Sequence, residues 1–460
     1  MELQKENKMG HMPVNKLLLT MSLPIMVSML VQALYNIVDS IFVAMIDEKA
    51  LTAVSLAFPI QSLIIAVAVG TGVGVNAVLS KALGEKNMER VNKAASNGVF
   101  LAVLSYLIFL VIGLFMVVPF YKSQTTDTMI IEYGTQYLMI VCVASIGVFM
   151  QITFERMLQS TGKTMYTMIV QGIGAIINII LDPILIFGLF GMPKLGVAGA
   201  AIATVIGQIT AGILAIIINQ KVNHEVRLQI KGFRPDKGII GHIYVVGVPS
   251  IIMQALGSLM VYSVNLILIS FTATATAVFG VYFKLQSFIF MPVFGLTNGM
   301  VPIVAYNYGA EKKERLIKTV KLSIAYATLL MIVGFLLFQF FTQTLLQMFD
   351  ASEMMLAIGI PALRIISISF LGAGFSIMCS SVFQALGNGV YSMMVSLARQ
   401  LIVLIPVAYL LSRLGNVDYV WWAFPVAEIV SVGMSALFLR RINKKIISHI
   451  GGKEKNTVTE

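Results

Sequence analysis

Charged residues are scarce in this sequence, and their scarcity argues against an ordinary soluble protein. Asp, Glu, Lys and Arg make up 12% of the 460 residues, whereas 58% are hydrophobic and the mean hydropathy is +0.89. Soluble domains carry roughly a quarter charged residues. Apolar runs of about 20 residues recur along the chain, and each can cross a ~30 Å hydrocarbon core as a helix. The composition therefore predicts an all-α membrane protein.

Cysteine is also rare in this sequence, and a nucleotide-binding motif is absent. The two cysteines, Cys142 and Cys379, both lie inside apolar runs, so we expect them to pack as small apolar residues rather than in a disulfide or metal site. No Gly-rich loop followed by Lys and Ser or Thr occurs, which argues against ATP hydrolysis. We therefore expect no enzymatic activity and no cofactor. The chain starts with a polar segment, and its first apolar run lacks a small-residue cleavage site. This indicates that the run is a retained helix.

The apolar runs predict twelve transmembrane helices. They lie near residues 15–45, 53–80, 93–121, 130–158, 164–190, 196–219, 240–270, 276–305, 318–347, 355–384, 391–412 and 419–440. Basic residues are concentrated in alternate connections and in both terminal segments, so the positive-inside rule predicts cytoplasmic termini in a multi-pass cell (inner) membrane protein. The net charge of +11 is therefore read as a topology signal, and we expect no nucleic-acid partner.

The second half of the sequence repeats the first at a constant offset. The offset that carries Pro24 to Pro249 (249 − 24 = 225) also carries Gly70 to Gly295 and Gly162 to Gly387. We call this offset the repeat shift. Each half then holds six helices, an even number, so the halves have the same orientation. The sequence predicts two six-helix bundles related by a pseudo-twofold axis along the membrane normal, as in some secondary transporters.

The predicted domains follow from this repeat. They are an N-lobe at 1–219, a cytoplasmic linker at 220–238, a C-lobe at 239–445 and a cytoplasmic tail at 446–460. Two similar lobes suggest alternating access by rocking around a central cleft, driven by an ion gradient. A duplicated scaffold without movement is the alternative.

Four polar residues break the repeat. The repeat shift places Val264 opposite Asp39, Val403 opposite Asn178, Val407 opposite Asp182 and Ile429 opposite Thr204. Asp39, Asp182 and Thr204 lie at one depth, in the outer half of the membrane, because each is about eight residues (~12 Å) from an outer helix end. Asn178 precedes Asp182 by four residues and therefore shares its helix face. We therefore predict a cation-coupling site at Asp39, Asn178, Asp182 and Thr204.

The coupling ion stays open at this level. Two carboxylates, an amide and a hydroxyl are oxygen ligands that suit Na⁺, and the same carboxylates could share a proton. A satisfied polar pair that locks two helices together is the structural alternative, although intramembrane acids usually mark ion or proton pathways.

Two prolines are hinge candidates. Pro24 and Pro183 each remove a backbone hydrogen bond and permit a kink in their helices. A static bend is the alternative, since proline is common in membrane helices.

The second half has polar groups of its own. Arg399 and Glu428 are expected to form a stabilising pair. Lys284 has no evident acid partner in its own half, so it either faces the cleft or snorkels outward.

The sequence resembles the multidrug and toxic compound extrusion (MATE) transporters along essentially its whole length. The resemblance is carried by SLPIMVSMLVQALYNIVDSIFVA (22–44), NIILDPILIFGLFG (178–191), GVAGAAIATVIG (196–207) and VPIVAYNYGAEKKER (301–315). It is strongest for the MepA-like and DinF-like branches. The family's fold is a V-shaped pair of six-helix bundles, and its members export cationic drugs or metabolites in exchange for Na⁺ or H⁺.

The resemblance also implies site residues. It assigns Asp39, Asn178, Asp182 and Thr204 to a first-lobe cation site, and it places Tyr35 and Tyr137 in the cavity that adjoins this site. The full set of residues expected to line the substrate cavity is Gln32, Tyr35, Tyr137, Asn265, Lys284 and Gln286. One branch of the family carries additional acids in helices seven and ten. This sequence does not match that branch, because helix seven offers only Asn265 in place of an acid.

The sequence thus favours a secondary active multidrug exporter of cationic amphiphilic molecules, acting as a monomer in the lipid bilayer. The alternative is a flippase for a lipid-linked or anionic metabolite of the same superfamily. A receptor or a non-transporting scaffold is disfavoured, because Asp39 and Asp182 occur in only one half of the repeat.

Overall fold

The structure is a computed structural model that describes residues 6–229, 232–349 and 351–451. Helices account for nearly all of these residues, and the described ranges contain no strand. In the first half, a short helix α1 (Lys8–His11) precedes α2 (Val14–Ala44), α3 (Glu48–Gly84), α4 (Met88–Phe115), α5 (Val117–Gln124), α6 (Thr128–Val143), α7 (Ile146–Ser160), α8 (Thr164–Phe187) and α9 (Val197–Val222).

The second half follows the same order. Its helices are α10 (Lys237–Ile269), α11 (Ala273–Gly309), α12 (Lys313–Phe340), α13 (Thr342–Gln347), α14 (Glu353–Ser367), α15 (Phe370–Ala385), α16 (Gly389–Leu397), α17 (Ile405–Ser412), α18 (Val417–Val420) and α19 (Ala423–Lys445). A π-helical turn, Ala398–Leu404, joins α16 to α17. Short 3₁₀ turns at Leu189–Gly191 and Ile447–His449 follow α8 and α19.

The predicted membrane architecture is confirmed. Among the residues that the structure describes, ten helices are long and apolar enough to cross a membrane, and the number rises to twelve when two bent helix pairs each count as one span. The bent pairs are α6 with α7, at 44°, and α14 with α15, at 48°. Because α6 and α14 begin at positions related by the repeat shift (353 − 128 = 225), the bends are features of the repeat. The all-α fold of twelve spans agrees with the sequence prediction.

The repeat also fixes unusual backbone angles. Gly162 and Gly387 have φ values of 84° and 78° in the turns that follow α7 and α15. This left-handed conformation is open to glycine because it lacks a Cβ atom. Lys86 and Glu311, another pair related by the repeat shift (311 − 86 = 225), adopt φ values of 56° and 55°. Turn geometry therefore requires glycine at Gly162 and Gly387, one of the pairs that align the two halves of the sequence.

The chain divides into two compact units that do not coincide with the two halves of the sequence. One unit comprises Met1–Met26 with Ile252–Glu460, and the other comprises Val27–Ile251. The predicted lobes would place residues 1–26 with the first half and 239–251 with the second. Each unit therefore contains the first part of a helix from the opposite half. The division falls two residues after Pro24 and two residues after Pro249.

Glycine contacts explain why these helix segments pack as they do. In the unit of Met1–Met26 and Ile252–Glu460, a Cβ atom on Gly295 would lie 2.7 Å from the Cα atom of Met26, and one on Gly299 would lie 2.9 Å from that of Ser22. In the other unit, a Cβ atom on Gly74 would lie 2.1 Å from the carbonyl oxygen of Ile243. Small residues let membrane helices approach closely enough for extensive van der Waals contact.

We expect Gly74→Ala to destabilise the protein. Its methyl group would meet a backbone carbonyl that cannot move without shifting α10, and overpacking of this kind costs about 1–3 kcal/mol. Gly280→Ala is the matched control, because a Cβ atom there meets nothing within 4 Å. The measurement is the thermal unfolding midpoint of the purified protein in detergent. Equal midpoints for the two variants would contradict the close contact.

Candidate functional site

The polar residues that break the repeat lie where α8 and α9 approach each other. One face of α9 carries a small residue at every fourth position, namely Gly199, Ala203, Gly207, Ala211 and Ala215. A Cβ atom on Gly207 would lie 2.8 Å from the carbonyl oxygen of Gly174 on α8. This spacing keeps the small residues on one helix face. The close approach brings the side chains of α8 within reach of those of α9.

Asn178 connects the two helices. In one orientation its amide nitrogen lies 3.4 Å from Asp182 Oδ1 and 3.2 Å from Thr204 Oγ1. With the amide turned over, its oxygen accepts from the Thr204 backbone N–H and hydroxyl, each at 3.2 Å, and its nitrogen donates to Asp182 Oδ2 at 3.3 Å. The turned orientation satisfies more groups. Asn178 is 3% exposed and Asp182 is fully buried.

Asp39 completes the cluster from α2. Its carboxyl group lies close enough to that of Asp182 for the two to interact electrostatically and to share a proton. Nearby, the rings of Phe42 and Phe187 meet edge-on, with centroids 6.4 Å apart, and this contact joins α2 to the end of α8. One oxygen of Asp39 is buried without a hydrogen-bond partner. The four residues predicted from the broken repeat thus form one contiguous cluster in the unit Val27–Ile251.

The cluster has two chemical uses. Two carboxyl groups that share a hydrogen bond need a proton between them, since carboxylates only accept. The same set also supplies oxygen ligands from carboxylate, amide and hydroxyl groups, the ligand type that hard cations take. The unpartnered oxygen of Asp39 is available to bind either a proton or a hard cation.

The two predicted cavity tyrosines lie beside the acids. Tyr35 interacts electrostatically with both Asp39 and Asp182, and Tyr137 interacts with Asp39. Tyr137 is 2% exposed, and its hydroxyl accepts a hydrogen bond of 2.9 Å from Gln61 Nε2. Gln61 was visible in the sequence only as part of the repeat. Gln32, also on α2, is exposed.

The other predicted cavity residues belong to the opposite unit. Asn265 and Gln286 each have a buried side-chain oxygen without a partner. Lys284 is exposed, and its ammonium lies 5.9 Å from the centroid of the Phe349 ring. A cavity shared by these residues and the acid cluster stays a prediction. The expected Arg399–Glu428 pair is present, with 3.3 Å between the charged atoms.

One buried acid was missed by the sequence reading. Glu155 on α7 is 3% exposed and accepts hydrogen bonds from Gln151 at 3.0 Å and from Gln171 at 2.7 Å. It lies near the end of the apolar run predicted at 130–158. The repeat carried the signal, because the repeat shift places Ser380 opposite Glu155.

We expect the Asn178–Thr204 contact to contribute about 0.6 kcal/mol, the average for hydrogen bonds between membrane helices. The measurement is a double-mutant cycle of Asn178→Ala and Thr204→Val on the free energy of unfolding in mixed detergent. Thr167→Val is the matched control, because the Thr167 hydroxyl is buried on the same helix α8 without a partner. A coupling with Thr204 no larger than that with Thr167 would contradict the contact.

Comparison with known proteins places this geometry in a family. A model of the MatE family matches residues 24–184 and again residues 249–410, and the starts of the two matches differ by the repeat shift (249 − 24 = 225). The multidrug export protein MepA of Staphylococcus haemolyticus is 28% identical over 94% of each chain. The FAD transporter of Shewanella oneidensis is 24% identical over 93% of this chain and 94% of its own.

Solved structures share the fold. An outward-facing multidrug resistance MATE family transporter superposes with a TM-score of 0.91 at 23% identity, covering 98% of this chain and all of that one. A transporter of the MOP superfamily from Pyrococcus furiosus, described as having a binding pocket of reversed polarity, gives a TM-score of 0.87 at 24% identity over 98% and 99% of the two chains. Because the family model matches both halves of the sequence, this multi-pass membrane chain belongs to the MatE family.

Proposed function

We propose that the chain is a secondary active multidrug exporter that expels cationic amphiphilic molecules in exchange for protons. The substrate class is supported by the MepA relatives, which are named multidrug export proteins. The exchange mechanism is supported by the buried acid cluster, which a passive scaffold does not need. Members of the family are transporters and not enzymes, and we expect the chain to need no cofactor.

The proximity of the Asp39 and Asp182 carboxyl groups, with one buried oxygen of Asp39 unpartnered, carries the proposal of proton coupling. A proton held between these carboxyls stabilises the contact between α2 and α8. A cationic substrate, or a change in the bulk proton concentration, would remove this proton. The contact would then be lost, because two bare carboxylates in a low-dielectric site repel each other. Gain and loss of this proton is therefore the event that couples an ion gradient to helix movement. Na⁺ held by Asp39, Asn178, Asp182 and Thr204 is the competing coupling ion.

The setting of this activity is part of the proposal. Basic residues in alternate connections support a cell (inner) membrane location with both termini in the cytoplasm. The transporter works as a monomer, because one chain supplies both halves of the repeat. Alternating access then exposes the acid cluster first to one side of the bilayer and then to the other.

A second candidate function is favoured by one relative. The Shewanella oneidensis protein is named an FAD transporter, and FAD is an anion. An anion exporter would need positive charge at its substrate site, and Lys284 is an exposed cation that could supply it. Comparing the efflux of ethidium with that of FAD from vesicles loaded with each compound separates the two candidates.

We expect Asp39→Asn and Asp182→Asn each to reduce gradient-driven ethidium efflux by about two orders of magnitude or more, because a neutral amide can hold neither a proton nor a cation at the coupling position. The measurement uses proteoliposomes that contain the purified protein. Glu132→Gln is the matched control, since Glu132 is an exposed carboxylate in the same unit whose neighbour is Gln136. Full efflux by both Asp variants, at normal folding, would contradict the coupling site.

The same vesicles identify the ion. Efflux is measured with an inward proton gradient alone, with an inward Na⁺ gradient alone, and with both gradients collapsed. Proton coupling predicts efflux in the first condition only. Efflux that follows the Na⁺ gradient alone would replace the proton by Na⁺ at the same four residues, and efflux of FAD that is insensitive to both gradients would favour the flippase alternative.

We expect Pro24→Ala to slow efflux roughly tenfold while the protein stays folded. Alanine restores the N–H that proline lacks, so the helix α2 gains a hydrogen bond at the point where the two compact units divide. Pro361→Ala, inside α14 and far along the chain from either division, is the matched control. An equal effect of the two substitutions on ethidium efflux would show that Pro24 contributes a static bend.

A further inference from the structure

A small cavity lies inside the unit that contains Ile252–Glu460. Its volume is about 60 Å³, and its walls come from α10, α11, α15, α19 and the π-helical turn Ala398–Leu404. This space holds a few water molecules or a small polar group and is too small for a drug-sized molecule. The polar groups that matter at its walls are Gln286, Arg399, Gln400 and Glu428. Four aromatic side chains, Tyr282, Phe283, Phe290 and Phe424, line the rest.

The ion pair in this cavity is asymmetric. Glu428 is 5% exposed, and its Oε1 accepts a hydrogen bond of 2.7 Å from the Ser376 hydroxyl. Its Oε2 lies 3.3 Å from a guanidinium nitrogen of Arg399. The Arg399 side chain keeps 32% of its surface exposed, whereas that of Glu428 keeps 6%. The carboxylate is therefore fixed, and the guanidinium has room to leave.

Two amide oxygens in the cavity lack donors. The side-chain oxygens of Gln286 and Gln400 are buried and make no hydrogen bond, although an unsatisfied buried acceptor is costly. The repeat explains the first of them. Gln61, which the repeat shift carries to Gln286, bonds Tyr137, whereas the position that corresponds to Tyr137 is the buried Ala362 (362 − 137 = 225). The second half has kept the amide and lost its partner.

The local helix geometry also points to a site. Arg399 and Gln400 lie in a π-helical turn, and such turns occur frequently at functional sites. Pro406 lies two residues beyond the turn and has no N–H for the carbonyl of Ile402, which favours the wider hydrogen-bond pattern. The turn corresponds to residues 173–179 of α8, and Glu428 corresponds to Ala203 of α9 (428 − 203 = 225). Arg399 thus lies on the counterpart of α8, which carries Asn178 and Asp182, and Glu428 lies on the counterpart of α9, which carries Thr204.

We propose that this cavity is a second binding site, for a small cationic group rich in N–H donors, and that Arg399 is a tethered occupant which such a group displaces. A primary ammonium or a guanidinium would bond the fixed carboxylate of Glu428 and supply donors to Gln286 and Gln400. The aromatic walls favour a cation through their electron-rich faces. The inference rests on the proposed export of organic cations, for which it supplies a head-group site in the second unit.

The chain provides a local reporter for binding. Its two tryptophans, Trp421 and Trp422, lie next to each other at the start of α19. Trp421 is fully buried, and its ring centroid lies 6.3 Å from that of Phe279, which stacks at 6.0 Å on Tyr282 in the cavity wall. Trp422 is exposed, so Trp422→Phe leaves one tryptophan that reports on this cavity.

The test is a titration of the purified full-length Trp422→Phe protein with methylguanidinium, followed by tryptophan fluorescence. Tetramethylammonium is the matched ligand control, because it has the same charge and no N–H donor. We expect a saturable change with methylguanidinium and binding at least about tenfold weaker with tetramethylammonium. Absence of any saturable change would overturn the proposal and leave the cavity as a water site. Equal binding of the two cations would overturn the role of the amide oxygens.

Substitutions then distinguish the roles of Glu428 and Arg399 in binding. Glu428→Gln should weaken methylguanidinium binding at least about tenfold, and Glu132→Gln in the other unit should not change it. Arg399→Gln should tighten binding by about the same factor, because it removes the tethered competitor. If Arg399→Gln fails to fold, Arg399→Lys keeps the charge but loses the planar fork, and it should also tighten binding. Unchanged or weaker binding in the folded Arg399 variant would overturn the displacement.

The outcome is separable from that of the proposed function. Asp39→Asn should lose gradient-driven efflux and bind methylguanidinium with unchanged affinity, since Asp39 belongs to the other unit. Retained efflux by Asp39→Asn and Asp182→Asn would refute the coupling site without touching the fluorescence result. Unaltered binding by Glu428→Gln would refute the second site without touching the efflux result.

Discussion

Close backbone contact at glycine and alanine is the constraint on which the rest of this structure depends. In a bilayer, lipid tails are as apolar as leucine, so helices gain little from burying hydrophobic surface against one another. Van der Waals contact must supply the association, and it does so only where side chains are small. The every-fourth-residue stripe of α9 meets Gly174 of α8 in this way. Asn178 reaches Thr204 only because these two backbones are close.

The same constraint assigns helix segments to the two compact units. Gly295 and Gly299 leave no space for a Cβ atom beside Met26 and Ser22. Gly74 leaves none beside Ile243 in the other unit. The first part of α2 therefore packs with the second half of the chain, and the first part of α10 packs with the first half. A helix whose two parts belong to different units must bend where they meet if the units move, and Pro24 and Pro249 lie two residues before those points.

The sequence predicted much of this, and what it missed has physical reasons. The twelve spans followed from hydropathy, and the repeat followed from glycine positions that turn geometry or close helix contact requires. Asp39, Asn178, Asp182 and Thr204 could be grouped because polar groups in an apolar chain are few and because the repeat isolates them. The sequence did not reveal that the first parts of α2 and α10 pack with the opposite halves of the chain. That packing depends on which backbone lies opposite Gly74 and Gly295. Glu155 was missed because hydropathy places a helix end only to within a turn or two.

The two polar clusters handle buried charge in opposite ways. Asp39 and Asp182 place two acids together, an arrangement that is stable only when a proton or a cation joins them. Arg399 and Glu428 neutralise each other within the chain, so their cavity can close without an ion. In the proposed export cycle, the acid cluster must be neutralised and so supplies the coupling step, whereas the self-neutralised site can empty after substrate release. The position that corresponds to Tyr137 is the buried Ala362, so Gln286 lacks the tyrosine partner that Gln61 has. The halves also differ at the close α8–α9 contact itself, because Gly174 and Gly207 correspond to Arg399 and Val432 under the repeat shift (399 − 174 = 225, 432 − 207 = 225).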